Sequence, residues 1–240
     1  MTLRVQDLTV SYGKIQVLHP LSFNANGGEL VVIVGPNGAG KSSLLSAIMG
    51  GRDVTGEILL DTQDKVIPLQ KCSVKDRARQ GVRLVQDSND VFQALTVAEN
   101  LKLGAYLRRD HRAIRAEQEE LLTRFPRLRE RLKTPAGLLS GGEMRLLLIV
   151  RALLGQPKVL LLDEPSSGLS PLMLTEVLKL VQERVRGGMI ALLAEQNIAQ
   201  TLPFADQLLV LDNGRLSRHS DGTTPLNSEE LVYAYFGDRQ

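Results

Sequence analysis

Apolar and polar positions alternate along this chain in two rhythms, and the switch between them outlines a fold. Leu30 to Val34, Val82 to Val85, Val159 to Leu162 and Met189 to Ala194 are short, nearly continuous apolar runs. Such runs suit strands covered on both faces, as in a parallel sheet flanked by helices. Leu3 to Val10, Leu21 to Asn24 and Gly56 to Leu60 alternate instead, with turn residues between them, and predict an antiparallel layer beside that core. From about Leu95 to Leu154 the strand signals vanish and helical ones take over. They open with Thr96, Val97, Ala98 and Glu99, the spacing of a capping box, ahead of Asn100 to Leu107. The pattern predicts an α/β fold with a parallel-strand core, an antiparallel β layer and an inserted helical subdomain. One unit of 240 residues accommodates it, with core segments at 1–86 and 158–225, the helical subdomain at 87–157 and a C-terminal tail at 226–240.

Composition narrows the possible partners. Lys and Arg total 29 against 27 Asp and Glu, a formal net charge of +2, which gives no reason to expect nucleic acid as a partner. Cys72 is the single cysteine and cannot form an internal disulfide, and the opening MTLRVQDL lacks a basic segment followed by an apolar one. A cytoplasmic chain is expected. Its longest apolar stretches, such as Leu146 to Val150 and Met189 to Ala194, fall far short of the ~20 residues that cross a bilayer. Any membrane role is therefore borrowed from a partner. The basic stretch Arg124 to Lys133 reads first as a solvated helix face and turn, with contact to a membrane partner as the alternative.

Candidate chemistry is concentrated at two strand ends. After the first apolar run comes GPNGAGKS, comprising Gly35, Pro36, Asn37, Gly38, Ala39, Gly40, Lys41 and Ser42, with Ser43 next. Gly35, Gly38 and Gly40 let the backbone turn tightly with its N–H groups inward, and the helix opening near Lys41 adds its positive dipole end. A phosphate cradle results: Lys41 reaches the β and γ phosphates, and the Ser42 hydroxyl takes a position on Mg²⁺. Downstream, Val159 to Leu162 delivers Asp163, a carboxylate for the metal, and Glu164, placed to polarise an attacking water. General-base help of that kind supplies roughly 10²- to 10⁴-fold in rate.

Between these segments lie Leu139, Ser140, Gly141, Gly142 and Glu143. Ser140 and Glu143 have capping-box spacing, and the glycines allow close backbone approach ahead of a helix running through Val150. A helix N-terminus with exposed N–H groups and a hydroxyl is equally a second anion site, and the two readings are compatible. Ser170 followed by Pro171 reads as a helix cap and first helical residue.

LSGGE between GPNGAGKS and VLLLDE resembles the ATP-binding cassette (ABC) family over the whole chain. The resemblance implies a P-loop ATPase in which the Ser140 to Glu143 turn closes on the γ-phosphate held by another subunit, so that two chains sandwich two ATP molecules. It implies that Tyr12 stacks on adenine, the alternative being an ordinary edge-strand tyrosine, and that Ser166 to Ser170 connect the two nucleotide sites. Three positions depart from the family pattern. Gln196 stands where a histidine usually senses the γ-phosphate; an amide can donate a hydrogen bond but cannot act as a base. The glutamine that links metal site to helical subdomain falls on Gln86 or Asp87, both taken as metal-site candidates. Ser170 replaces the commoner aspartate.

AEQN, VFQALTVAENLKLGAY, FPRLRERL and the ending LVYAYFG are similar to the short ATP-binding subunits of branched-chain amino acid importers, with urea and short-amide importers as close relatives. The resemblance implies membrane-spanning permease subunits, a second ABC ATPase subunit, an extracytoplasmic substrate-binding protein, and a peripheral position on the cytoplasmic face of the inner membrane. Two other classes of function remain as alternatives, a non-transport cassette protein and a regulatory module that scarcely hydrolyses ATP.

Overall fold

The computed structural model describes residues 1–51, 53–86, 90–196 and 198–220. Its strands are β1 (Thr2–Tyr12), β2 (Ile15–Asn26), β3 (Leu30–Val34), β4 (Val54–Asp61), β5 (Val66–Pro68), β6 (Val82–Val85), β7 (Val159–Asp163), β8 (Ile190–Glu195), β9 (Gln207–Asp212) and β10 (Arg215–Ser220). Strands β2, β1, β4 and β5 form an antiparallel sheet, and the second sheet runs β10-β9-β3-β8-β7-β6. Within it, β9, β3, β8, β7 and β6 are parallel neighbours and β10 adds an antiparallel edge. Three of the apolar runs behave as their pattern predicts, every residue of β3, β7 and β8 being buried. Val82 to Val85, read as a fourth strand covered on both faces, instead forms the sheet edge β6 and leaves Arg83 and Leu84 only partly buried.

The β9–β10 hairpin was not anticipated. Its signal is the Asn213–Gly214 pair, whose positive φ angles of 45° and 73° make the tight reversal that joins two antiparallel strands.

Helices α1 (Lys41–Met49) and α2 (Val74–Arg79) belong to the first part of the chain. Four more, α3 (Val97–Gly104), α4 (His111–Arg124), α5 (Pro126–Glu130) and α6 (Gly141–Leu154), fill the inserted helical region, and α7 (Pro171–Arg186) follows β7. The capping box ahead of α3 is present: Thr96 Oγ1 accepts from Glu99 N at 3.2 Å and the Glu99 carboxylate accepts from Thr96 N at 2.8 Å. A cap of this kind contributes about 1 kcal/mol.

Two apolar clusters, one on each face of the parallel sheet, form the core. Leu44, Leu45 and Ile48 of α1 pack with Val31 and Ile33 on one face, while Leu147, Val150 and Leu154 of α6 join Leu160 and Leu162 on the other. Helix α6 is buried over most of its circumference, which explains the absence of a narrow apolar stripe in its sequence. The basic stretch lies along the surface, where Arg124 pairs with Glu183 at 2.6 Å, Arg129 with Glu119 at 3.0 Å and Arg131 with Glu143 at 3.7 Å.

Candidate functional site

Parallel pairing brings the loop and acidic residues to one edge of the sheet. Val34 of β3 is in register with Glu195 of β8, and Ala194 of β8 with Asp163 of β7, so the segments that follow these strands emerge side by side. The loop after β3 can close only with glycine at its critical points. A Cβ on Gly35 would lie 2.3 Å from the Leu211 carbonyl oxygen, and Gly40 has φ +100° with Leu18 Cδ2 where its Cβ would go. Ala39 N donates to Pro36 O at 3.1 Å, which tightens the turn, while Asn37 and Gly38 face solvent.

Lys41 is buried at the first position of α1, and its Nζ donates to Gly35 O at 2.8 Å and Pro36 O at 3.2 Å. Burial lowers the ammonium below its ordinary value, opposed by the negative charges of Glu164, Asp163 and Glu195. Ser42 Oγ donates to Asp163 Oδ1 at 3.0 Å. These two hard oxygen donors, in contact and with Asp163 buried, fit magnesium, which takes few protein ligands and completes its shell with phosphate and water oxygens. Tyr12, at the end of β1, leaves its ring half exposed and directs its hydroxyl to Ser43 Oγ at 3.5 Å. An aromatic face is thus available beside the glycine loop.

Glu164 has φ 46°, a left-handed backbone that non-glycine residues adopt reluctantly. Its N–H donates to Ala194 O at 2.9 Å and its carbonyl accepts from Ser167 N at 3.0 Å. Two residues that sequence reasoning passed over surround it. Glu195, 1% exposed, accepts from Ser166 N at 2.8 Å and Ser166 Oγ at 2.9 Å. Burial pushes its carboxyl above the ordinary value, against those hydrogen bonds. Arg145, on α6, donates to the main-chain carbonyls of Gln86, Asp163 and Glu164. The available signal was a charge within or at the end of an apolar run, MRLLLIV for Arg145 and IALLAE for Glu195. Gln196 follows β8 with its side chain exposed.

The Ser140 turn is a capping box: Ser140 Oγ accepts from Glu143 N at 3.3 Å and the Glu143 carboxylate accepts from Ser140 N at 2.9 Å. Ser140 and Gly141 face solvent, while Gly142 packs on Gly168 in the loop after β7. Ser170 caps α7, its Oγ accepting from Met173 N at 3.3 Å, with Pro171 opening the helix.

Gln86 follows β6 and lines a groove between α2, β6, α3 and α6. Asp87 lies outside the described residues, as do residues 221–240, which comprise the end of the 158–225 core segment and the whole tail at 226–240. The groove is apolar at Phe92, Leu103, Tyr106 and Leu107 and is bordered by Arg79 and Arg151. Among the described residues no helix is long and apolar enough to cross a membrane, and no cluster of three or more His, Cys, Asp or Glu could hold a metal by itself.

Comparison with known proteins agrees with this geometry. The signature of the ABC transporter family matches residues 18–167. The high-affinity branched-chain amino acid transport ATP-binding protein BraG of Pseudomonas aeruginosa is 38% identical over 94% of this chain and 95% of its own length. The lipopolysaccharide export system ATP-binding protein LptB of Escherichia coli is 32% identical over 99% of this chain and 98% of its own. A solved ATP-binding subunit of an ABC transporter superimposes with TM-score 0.85 at 27% identity, covering 99% of this chain and 95% of that one. The chain therefore belongs to the ABC transporter family, as an ATP-binding subunit with the ABC ATPase fold that hydrolyses ATP to power transport.

Proposed function

We propose that this chain drives a membrane importer of branched-chain amino acids from the cytoplasmic face of the inner membrane. The observation that carries the importer reading is the similarity to BraG, 38% identical across 94% of the chain. In this reading the loop Gly35 to Ser43 wraps the ATP phosphates, Lys41 exchanges its loop carbonyls for phosphate oxygens, and Tyr12 stacks on the adenine. Ser42 and Asp163 would hold a magnesium ion, which supplies positive charge against the phosphate oxygens. Glu164 takes a proton from water as the water oxygen bonds to the γ-phosphorus, and the bond to the ADP oxygen breaks. Gln196 donates a hydrogen bond to the γ-phosphate and leaves proton transfer to Glu164.

The exposed Ser140 to Glu143 turn offers N–H groups and a hydroxyl to a nucleotide held by a second ATPase subunit, so ATP joins a head-to-tail pair and hydrolysis releases it. A heterodimer with a related ATPase is the assembly we favour, working with two permease subunits and, through them, an extracytoplasmic binding protein. The groove beside Gln86, with its apolar floor and arginine rim, is suited to a permease helix carrying acidic and apolar residues. A second reading, lipopolysaccharide export, is favoured by the 32% identity to LptB over 99% of the chain.

Gentle co-purification from the native membrane, with mass identification of bound chains, tests the proposal. Recovery of two permeases and a second cassette ATPase, with ATP hydrolysis stimulated by a binding protein loaded with leucine, isoleucine or valine, is expected. Stimulation by urea or a short amide alone, or recovery of export components or only soluble partners, overturns the substrate assignment.

A further inference from the structure

The guanidinium of Arg145 lies in the second turn of α6, the helix whose N-terminus is the Ser140 turn, and is 4% exposed. A charge this deeply buried needs a dense set of hydrogen-bond acceptors. Arg145 meets main-chain oxygens at the ends of two neighbouring strands: Gln86 after β6, and both Asp163 and Glu164 at the end of β7.

Glu164 is where this matters. Its φ of 46° persists only if its surroundings over-determine it. Its N–H is held by Ala194 O of β8, at 2.9 Å, and its carbonyl by Arg145 from α6. Glu164 is thus held at its N–H and at its carbonyl, the latter shared by Arg145 and Ser167 N, and these bonds fix the backbone from which the carboxylate leaves. Because the same guanidinium is carried on α6 and also holds Gln86 O, a shift of that helix reaches Glu164 through rigid hydrogen bonds.

From this geometry we infer that Arg145 is a positioning residue for Glu164: it holds the left-handed backbone on which the carboxylate is aimed and ties that aim to helix α6. The inference rests on Glu164 acting as the base. Arg145→Met keeps length and apolar bulk but removes the donors, whereas Arg145→Lys keeps the charge and can hold part of the carbonyl set.

The test measures kcat, ATP affinity and single-turnover rate for both variants, alone and combined with Glu164→Gln, per ATP-binding-competent protein. Arg145→Met is expected to lower kcat by about 10- to 100-fold, the scale of a misplaced catalytic group, with ATP affinity within about twofold of wild type. Arg145→Lys should recover part of that loss, and Arg145→Met should add little to Glu164→Gln. An unchanged kcat, a fall in ATP affinity parallel to kcat, or full additivity with Glu164→Gln overturns the inference. If Arg145→Met does not fold, Arg145→Lys carries the test: a lower kcat at unchanged affinity, non-additive with Glu164→Gln, supports the inference, and the three contrary results overturn it. Normal hydrolysis by Glu164→Gln alone removes the base assignment and this inference with it. An inactive Glu164→Gln beside a fully active Arg145→Met removes this inference only.

Discussion

Adding one methyl group to either glycine of the Ser140 turn should separate folding from function, because the two glycines face opposite surroundings. A Cβ on Gly141 would meet nothing within 4 Å, whereas one on Gly142 would lie 2.4 Å from Gly168 O and 3.9 Å from Leu169 Cδ2. Gly141 opens α6, so Gly141→Ala should leave stability unchanged or raise it by up to about 0.5–1 kcal/mol, the difference between glycine and alanine in a helix. Gly142→Ala must displace backbone. Overpacking of that kind costs roughly 1–3 kcal/mol, and after the helical gain of alanine a net loss of about 1–2 kcal/mol remains. For a chain of this size that corresponds to a fall in Tm of about 2–8 °C. Urea denaturation gives the stabilities, and ATP hydrolysis with ATP-dependent pairing in a Glu164→Gln background gives the function. Gly141→Ala should be as stable as wild type yet lose at least about tenfold in hydrolysis and fail to pair, since its methyl group can obstruct only what approaches from outside the chain. Hydrolysis at the wild-type rate in Gly141→Ala would refute the turn as a nucleotide contact. A Gly142→Ala protein as stable as wild type would refute the packing argument.

Other outcomes follow from the same site. Tyr12→Ala should weaken ATP binding by about 1–3 kcal/mol, the usual worth of a base stacked on an aromatic ring; equal affinity by calorimetry would leave Tyr12 as a plain edge-strand residue. Glu195 gives a pH prediction. Burial raises its folded value above the ordinary 4.5, so its share of stability is complete below 4.5 and is lost as pH rises through the folded value. Urea midpoints measured across roughly pH 4 to 8 should decline less with rising pH in Glu195→Gln than in wild type, and parallel curves would show that the carboxylate is not desolvated.

Readings that depend on short stretches of chain were legible in the sequence. Thr96 with Glu99, Ser140 with Glu143, and Ser170 with Pro171 each lie within one helical turn, so residue identity and spacing carry the whole signal. The runs Leu30–Val34 and Ile190–Glu195 were visible because a strand buried on both faces admits few polar residues, and Met189 to Ala194 was displaced from the observed strand by one residue. The β9–β10 hairpin was missed although Asn213–Gly214 marked its turn, since β10 is largely exposed and presents few apolar positions.

The amino-acid sequence by itself determined the glycine loop, the acidic strand end, the helix caps and hence the family, because each is local chemistry written in neighbouring residues. Ser42 and Asp163, 121 positions apart, were already expected to share a metal, whereas the tertiary structure alone decided that Glu195 holds Ser166 across 29 positions and that Arg145 reaches Gln86 across 59. Arg145 takes a main-chain carbonyl of Gln86, which every residue possesses, so the partner's identity leaves no trace in the sequence, and Glu195 takes the Ser166 N–H as well as its hydroxyl. Only strand register brings such groups together, and register is set by the packing of both sheet faces at once.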